Sequence, residues 1–353
     1  MAARQLDQRK EQILRAIVRD FILDGHPVGS KRVVEELDLA VSAATVRSEM
    51  VELEQAGLIR QPHTSAGRIP TDAGYRYYVD HLTSLELAKP TSPDVVDQML
   101  LRATDVEDLL RRTSSVLSRL TRLTALVTAP RLDRSKLRHI ELVTLSPHAI
   151  LLVFIADTGR VEKRILDLDV PVADDDVQRA RYVVNDAASG LRLTEAHDAI
   201  TGVSLAAPTN LQPLLDRVAT TIRSGATAPA LEVDRVFVGG AAQLALRATD
   251  ETIDRLDDVY DMLEEQVVLL GMLRETLKQD DLAVRIGSEL PVDELSPFAM
   301  VASRYGASES LGSLGLLGPT RMDYGQAMAT VRAVATSLER ALAALTGTGT
   351  TDG

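Results

Sequence analysis

PVGSKRVVEELDLAVSAATVRSEMVELEQAGLIRQPHTSAGRIPTDAGYRYYVDHL, residues Pro27–Leu82, holds two short helical patterns, a turn between them and a compact basic hairpin. Ahead of it, Leu6, Ile13, Leu14, Ile17, Val18, Phe21 and Ile22 recur at helical spacing, so an amphipathic first helix precedes the stretch. Asp24-Gly25-His26-Pro27 ends that helix. Ser30 is read as the N-cap of a second, short helix with Val33, Val34 and Leu37 turned inward. Residues Asp38 to Val41 make the turn, Ser42 caps a third helix through its hydroxyl, and Gly57 stops it. This order is the outline of a winged helix-turn-helix, which sets one helix in the DNA major groove.

The third helix divides into two faces. At about 100° per residue, Ala43, Val46, Met50 and Leu53 share the side that packs on the first two helices. Ala44, Thr45, Ser48 and Gln55 lie opposite, with Arg47 and Val51 on the flanks. Small and polar residues near a helix N-terminus can approach base edges; Thr45 and Ser48 offer hydrogen bonds, and Ala44 and the Thr45 methyl suit a thymine methyl. By itself this pattern also fits an ordinary amphipathic helix with a solvated face.

The hairpin tips the balance toward DNA. Leu58 to Gln61 reads as a strand, and His63-Thr64-Ser65-Ala66-Gly67 as a polar turn whose glycine supplies positive φ. Arg68-Ile69 returns, Pro70 stops the pairing, and Thr71 caps a helix containing Tyr75, Arg76, Tyr77, Tyr78 and Val79. His63, the hydroxyls of Thr64 and Ser65, Arg68 and Arg76 are suited to phosphate or minor-groove contact. The expected DNA surface is therefore Ser42, Ala44, Thr45, Arg47, Ser48, His63, Thr64, Ser65, Gly67, Arg68 and Arg76.

The remainder is acidic and offers no catalytic constellation. The chain carries 39 Lys and Arg against 51 Asp and Glu over 353 residues. Its first 81 residues are near neutral, with 11 basic and 12 acidic side chains, so the excess of negative charge lies downstream. Such a balance excludes a general nucleic-acid coat and suits a few focused contacts. With no cysteine there is neither a disulfide framework nor a thiolate metal site. The six histidines lack metal-ligand spacing, and His81 is read as structural. No cofactor and no metal are expected. Gly312, Gly315 and Gly318 are spaced like a phosphate loop, but Pro319-Thr320 follows where Lys-Ser/Thr would be needed. Close backbone packing accounts for them better. Asp174-Asp175-Asp176 reads as a solvated helix start. Neither a basic–apolar leader nor a run of ~20 apolar residues is present, so a cytoplasmic protein without a membrane partner is expected.

Beyond a Ser/Thr/Pro-rich linker at Ser84–Asp94, a helical region is expected from Val95 to Ala129. A β-meander follows at Arg138–Leu145, Ala149–Ala156 and Arg160–Leu168, then helices from Asp174 to Arg223. Val233–Val238 is a strand, Glu251–Lys278 a long helix, and Leu282–Ile286, Phe298–Arg304 and Gly312–Leu317 late strands before a final helix, Asp323–Leu345. The Gly/Thr-rich tail from Gly347 to Gly353 is expected to be disordered.

PVGSK (Pro27–Lys31), SAATVR (Ser42–Arg47), PHTSAGRIPT (Pro62–Thr71), GYRYYVDHL (Gly74–Leu82), VFVGG (Val236–Gly240), VRIGSE (Val284–Glu289) and GLLGPTRMDY (Gly315–Tyr324) together resemble the bacterial heat-inducible transcription repressor family HrcA, over nearly the whole chain. Three departures stand out: Ser48 where the family has Asn, Ala73 where it has Lys, and Leu290 where it has Asn. The first alters a residue suited to adenine, the second removes a phosphate contact, and the third is expected to change a loop contact.

The resemblance implies an α+β multidomain chain. A winged helix-turn-helix DNA-binding domain (1–84) would precede a GAF-like α/β domain (85–170 and 277–353), interrupted by an inserted α+β dimerisation domain (171–276). It also implies a homodimeric repressor of chaperone genes. Such a protein binds double-stranded DNA at an inverted-repeat operator, CIRCE, and is supported by a GroEL-type chaperonin. Arg321, Asp323 and Tyr324 are read as packing residues, with an Arg–Asp pair at the final helix start; contact with the chaperonin or partner subunit is the functional alternative. Two other classes remain open: a winged-helix regulator answering to a metabolite in the GAF-like domain, and an enzyme with an appended DNA-binding domain, against which the missing catalytic cluster argues.

Overall fold

Asp7, Ser42 and Thr71 each open a helix in the same way. Their side-chain oxygens accept from the backbone N–H of Lys10 at 2.9 Å, Thr45 at 3.2 Å and Gly74 at 3.2 Å. Each bond satisfies an otherwise orphaned donor of a first turn. In the computed structural model these helices are α1 (Gln8–Asp24), α3 (Ala43–Gln55) and α4 (Asp72–Asp80), with α2 (Ser30–Leu37) between the first two. The residues described are 6–37, 41–63, 67–82, 93–100, 102–130, 135–227, 235–246, 256–306 and 312–346. The expected turn at 38–40, the hairpin tip at 64–66, most of the linker and the C-terminal tail lie outside them.

Ser30 is the first residue of α2 and is buried; the turn closes from the Val33 N–H to the Gly29 carbonyl, so Gly29 takes the capping place. The hairpin is shorter than expected: β1 (Ile59–Arg60) pairs with β2 (Ile69–Pro70), Ile59 opposite Pro70. Pro70 occupies the last rung rather than lying beyond it. Ile13, Leu14, Ile17, Val33, Val46, Met50, Leu53 and Ile59 fill the small core beneath these elements.

Behind this N-terminal unit stands a five-stranded antiparallel sheet, ordered β7-β3-β10-β9-β8. Its strands are β3 (Thr124–Thr128), β7 (Val236–Gly239), β8 (Leu282–Ile286), β9 (Phe298–Tyr305) and β10 (Gly312–Pro319). Side chains alternate between its two faces. Ala125, Val127, Val301, Leu314 and Leu316 face the core that includes α6 (Val106–Thr121) and the final helix, α13 (Tyr324–Thr346). Leu126, Met300, Ala302 and Leu317 face α11 (Leu256–Glu264) and α12 (Gln266–Thr276). The short helix α5 (Pro93–Leu100) adds Val96 and Leu100 to the first of these cores, and α10 (Ala242–Leu246) adds Leu244 to the second. The space above Gly312, Gly315 and Gly318 is taken by Tyr305, Leu273 and Leu123, so these glycines serve close packing as expected.

Two helical expectations are corrected. The region 95–129 is not one helical stretch: α6 ends at Arg122, which adopts φ 55, and the buried run Thr124–Thr128 becomes a strand between β7 and β10. The long helix expected over 251–278 divides at Glu265, where the backbone takes φ −84 and ψ 85.

The meander β4 (Leu137–Ser146), β5 (Ala149–Ala156) and β6 (Val161–Asp167) forms its own three-stranded sheet. One face, with Ile140, Leu142, Ile150, Leu152, Phe154 and Leu166, packs on α7 (Asp174–Ala188), α8 (Leu193–Ala206) and α9 (Gln212–Thr227) in a separate core. A meander needs a cover for its apolar face, and α7–α9 provide it, so residues 135–227 share one core while β7 joins the five-stranded sheet, a grouping that cuts across the expected boundary at 171. Residues 236–246 and 256–276 belong with the five-stranded sheet, β7 as its edge strand and α10–α12 packed against it. Asp174, Asp175 and Asp176 form the first turn of α7, where the helix dipole favours negative charge.

Candidate nucleic-acid interface

The faces of α3 fall largely as the sequence predicts. Val46, Met50 and Leu53 are buried, while Ala44, Arg47 and Ser48 are exposed and Thr45 is half-buried. Glu49 is buried as well, because Arg9 of α1 reaches its carboxylate (Nε to Oε1, 3.0 Å) and Lys10 lies 3.5 Å from its other oxygen. That pair anchors α3 to α1 by charge in addition to packing. Ser42 serves as cap, and its hydroxyl lies 3.1 Å from that of Thr45. The N-terminal half of α3 therefore presents a small, polar and cationic surface. The carboxylates of its C-terminal half are paired with cations: Glu52 with Lys10 at 3.0 Å and Glu54 with Arg68 at 2.9 Å.

The hairpin is held at its root by a backbone bridge. Val28 and Arg68 exchange both N–H···O bonds at 2.9 Å. Gly67 sits against this bridge, and a Cβ there would collide with the Val28 carbonyl. The expected positive φ is not found at Gly67; the glycine is needed for close approach. His63 is exposed, and Thr64 and Ser65 lie outside the described residues. Arg60, which the sequence reading passed over, stands exposed on β1.

Arg68 and Arg76 are placed differently from the rest of the expected surface. Arg68 is largely covered and paired with Glu54. Arg76 faces the body of the protein, where its Nε donates to Glu289 Oε1 at 2.8 Å and its Nη2 to Glu289 Oε2 at 2.5 Å and to the Val284 carbonyl at 2.6 Å. Asp80 completes the set at 3.1 Å. Burial opposes the charge on this guanidinium, but Glu289 and Asp80 outweigh it and raise its pKa. The expectation that Arg76 points toward a phosphate is therefore corrected. His81 stacks on Tyr77 at 4.0 Å and bonds the Tyr77 carbonyl through Nδ1 at 2.7 Å, a packing role.

The Arg76 contact is part of a larger junction. Asp72 accepts from the Ser288 N–H at 3.1 Å. Tyr75 meets the buried Tyr324 ring at 5.8 Å between centroids; burial, reinforced by Tyr75, raises the Tyr324 phenol well above its ordinary range. Arg321 donates to the Ile22 carbonyl at 3.3 Å and lies over Gly25, where a Cβ would come within 2.8 Å of it. Asp323 accepts instead from the Gln326 N–H at 2.9 Å as the cap of α13, so Arg321 turns to the N-terminal unit and not to Asp323. The two downstream motifs, VRIGSE and TRMDY, thus converge on the same junction. No local pattern could have revealed this, since Arg76 and Glu289 are 213 positions apart. Of the departures, Ala73 is exposed, while Leu290 is buried in the core behind the sheet and makes packing contacts rather than a loop contact.

The chain is similar to known proteins over most of its length. A sequence profile of the HrcA protein C-terminal domain matches residues 107–328. The heat-inducible transcription repressor HrcA of Acidothermus cellulolyticus is 44% identical over 342 residues, covering 96% of this chain and 99% of that protein. The protein of the same name from Frankia casuarinae is 43% identical over 331 residues, covering 94% and 97%. A crystal structure described as a hypothetical protein at 2.2 Å resolution superposes with a TM-score of 0.61 at 25% identity, covering 98% of this chain and all of that one.

Proposed function

The chain belongs to the HrcA family of heat-inducible transcription repressors, and we propose that it represses by seating α3 in the major groove at each half of an inverted-repeat operator, as a homodimer. The observation that carries this reading is the division of α3: Val46, Met50 and Leu53 buried on one side, Ala44, Arg47 and Ser48 exposed on the other. The N-terminal unit is read as a winged helix-turn-helix, with β1 and β2 as the wing. Its DNA surface is Ser42, Ala44, Thr45, Arg47, Ser48 and His63, to which the sequence adds the hydroxyls of Thr64 and Ser65, outside the described residues. Gly67 and Arg68 hold the wing root, and Arg60 joins the cationic face. No enzymatic role is indicated by the family.

The dimer reading rests on the free face of the three-stranded sheet. Val143, Leu151 and Ile165 lie side by side across its strands. Val143 and Ile165 are 44% and 61% exposed, and Leu145 and Val161 are open as well. An exposed apolar row on a sheet, here Val143–Leu151–Ile165 beside the charged-ended row Glu141–Val153–Lys163, favours burial against a second copy. Five strands flanked by helices support the GAF-like reading of the outer unit.

Family resemblance alone carries the finer points: the CIRCE operator, cytoplasmic location and support by a GroEL-type chaperonin. A reporter placed behind a CIRCE repeat tests them together. Repression should be strong with chaperonin, fall on heating, and return when chaperonin is supplied in excess. Repression indifferent to the repeat would overturn the operator; indifference to chaperonin would overturn only that partner.

A further inference from the structure

We propose that the junction built by Arg321, Ser288 and Glu289 fixes the orientation of the N-terminal unit on the body, and thereby sets the spacing between operator halves that the dimer accepts. The inference rests on the homodimeric operator-binding reading above. Five contacts hold the junction: Arg76 to Glu289, Arg76 to the Val284 carbonyl, Asp72 to Ser288, Arg321 to the Ile22 carbonyl, and Tyr75 against Tyr324. Gly287 and Gly25 leave just enough room, since a Cβ on Gly287 would strike the Asp72 carboxylate. Meanwhile Ala44, Arg47 and Ser48 remain exposed, so the junction does not cover the α3 surface.

Covalent connection would not fix this geometry. Ten residues separate Leu82 from Pro93, and a chain of that length reaches about 33 Å when extended. Two units joined only by such a segment could reach half-sites at many separations and rotations. Ties to the body preorganise them for one. Ser288, Glu289 and Arg321 are therefore positioning residues: they select spacing without touching a base.

The test is equilibrium binding of the full-length protein to duplexes whose half-sites are constant and whose spacer grows by one to five base pairs. Five added base pairs rotate one half-site by about half a turn. The parent should lose about 30-fold or more at that insertion. The Glu289→Gln/Arg321→Met variant should lose less than about fivefold, while still rejecting mutated half-sites. Gln at 289 keeps an oxygen for the Ile286 N–H, which Glu289 now accepts at 3.0 Å. Both changes lie outside the proposed DNA surface. Because the chain lacks cysteine, spin labels at Ala56→Cys and Glu294→Cys give a second readout without DNA. With labelled protein diluted into unlabelled protein so that the distance within one protomer is read, that distance should be narrow in the parent and broaden in the variant. A variant that keeps both the steep spacer profile and the narrow distance overturns the proposal while leaving operator binding intact. A parent that ignores the inverted repeat altogether removes the operator reading and this inference with it.

Discussion

Thr128 and Val236 are cross-strand partners at the ends of β3 and β7, although the whole inserted unit lies between them in sequence. The outer sheet is thus closed across the insertion, and the chain leaves and re-enters it at one place. Replacing residues 129–235 with a short Asn-Gly hairpin turn should leave β3 and β7 paired and the remainder folded. The spliced protein should sediment as a monomer. Its operator affinity should fall by about 100-fold or more, because the second half-site is no longer tethered. A spliced protein that remains dimeric would place the dimer contact elsewhere.

The free sheet face permits a gentler test. Ile165 is 61% exposed beside Leu151, so Ile165→Glu should not disturb the internal core. If that face is the dimer seam, the change should weaken dimerisation by about 1.5–3 kcal/mol, roughly 10- to 150-fold. Sedimentation equilibrium reads this directly, with circular dichroism checking that the fold is kept.

Arg47 is exposed near the start of α3. Arg47→Ala should weaken operator binding by about 1–3 kcal/mol if it meets a guanine; if it meets phosphate only, specific and non-specific binding should drop together and the salt slope should shrink by about one. Ser48→Asn should sharpen preference for adenine at one position of each half-site. Unchanged affinity and unchanged preference in the two folded variants would remove α3 from the interface.

At the hairpin, geometry and charge can be separated. Gly67→Ala places a methyl against the Val28 carbonyl and should destabilise the N-terminal unit by about 1–3 kcal/mol. The salt slope should stay the same, since no charge is lost. Thermal melts and a salt series distinguish this from loss of a phosphate contact. A Gly67→Ala protein as stable as the parent would mean that the hairpin root yields at no cost.

What could be read from the sequence was local. The cap at Ser42, the faces of α3 and the alternation in the meander depend on neighbours within a few residues, and the structure keeps all three. The errors came where distant chain decides the outcome. Gly67 looked like a turn glycine because its partner Val28 lies in a different element. Arg76 looked like a phosphate ligand because Glu289 is far downstream. Thr124–Thr128 was hidden behind an apolar helix and became a strand because β7 and β10 lie on either side of it. Alternation in the meander marks a buried face without saying which helices cover it, so its shared core with α7–α9 is not legible in the sequence.

The central claim is sequence-specific DNA binding by this chain through α3. It is tested most directly by fluorescence anisotropy of the full-length protein against two duplexes of equal composition, one carrying the inverted repeat and one scrambled, over a salt series. The account predicts binding to the repeat at least about 1,000-fold tighter than to the scrambled duplex, with both weakening as salt rises. Equal affinity for the two duplexes at every salt concentration would contradict it.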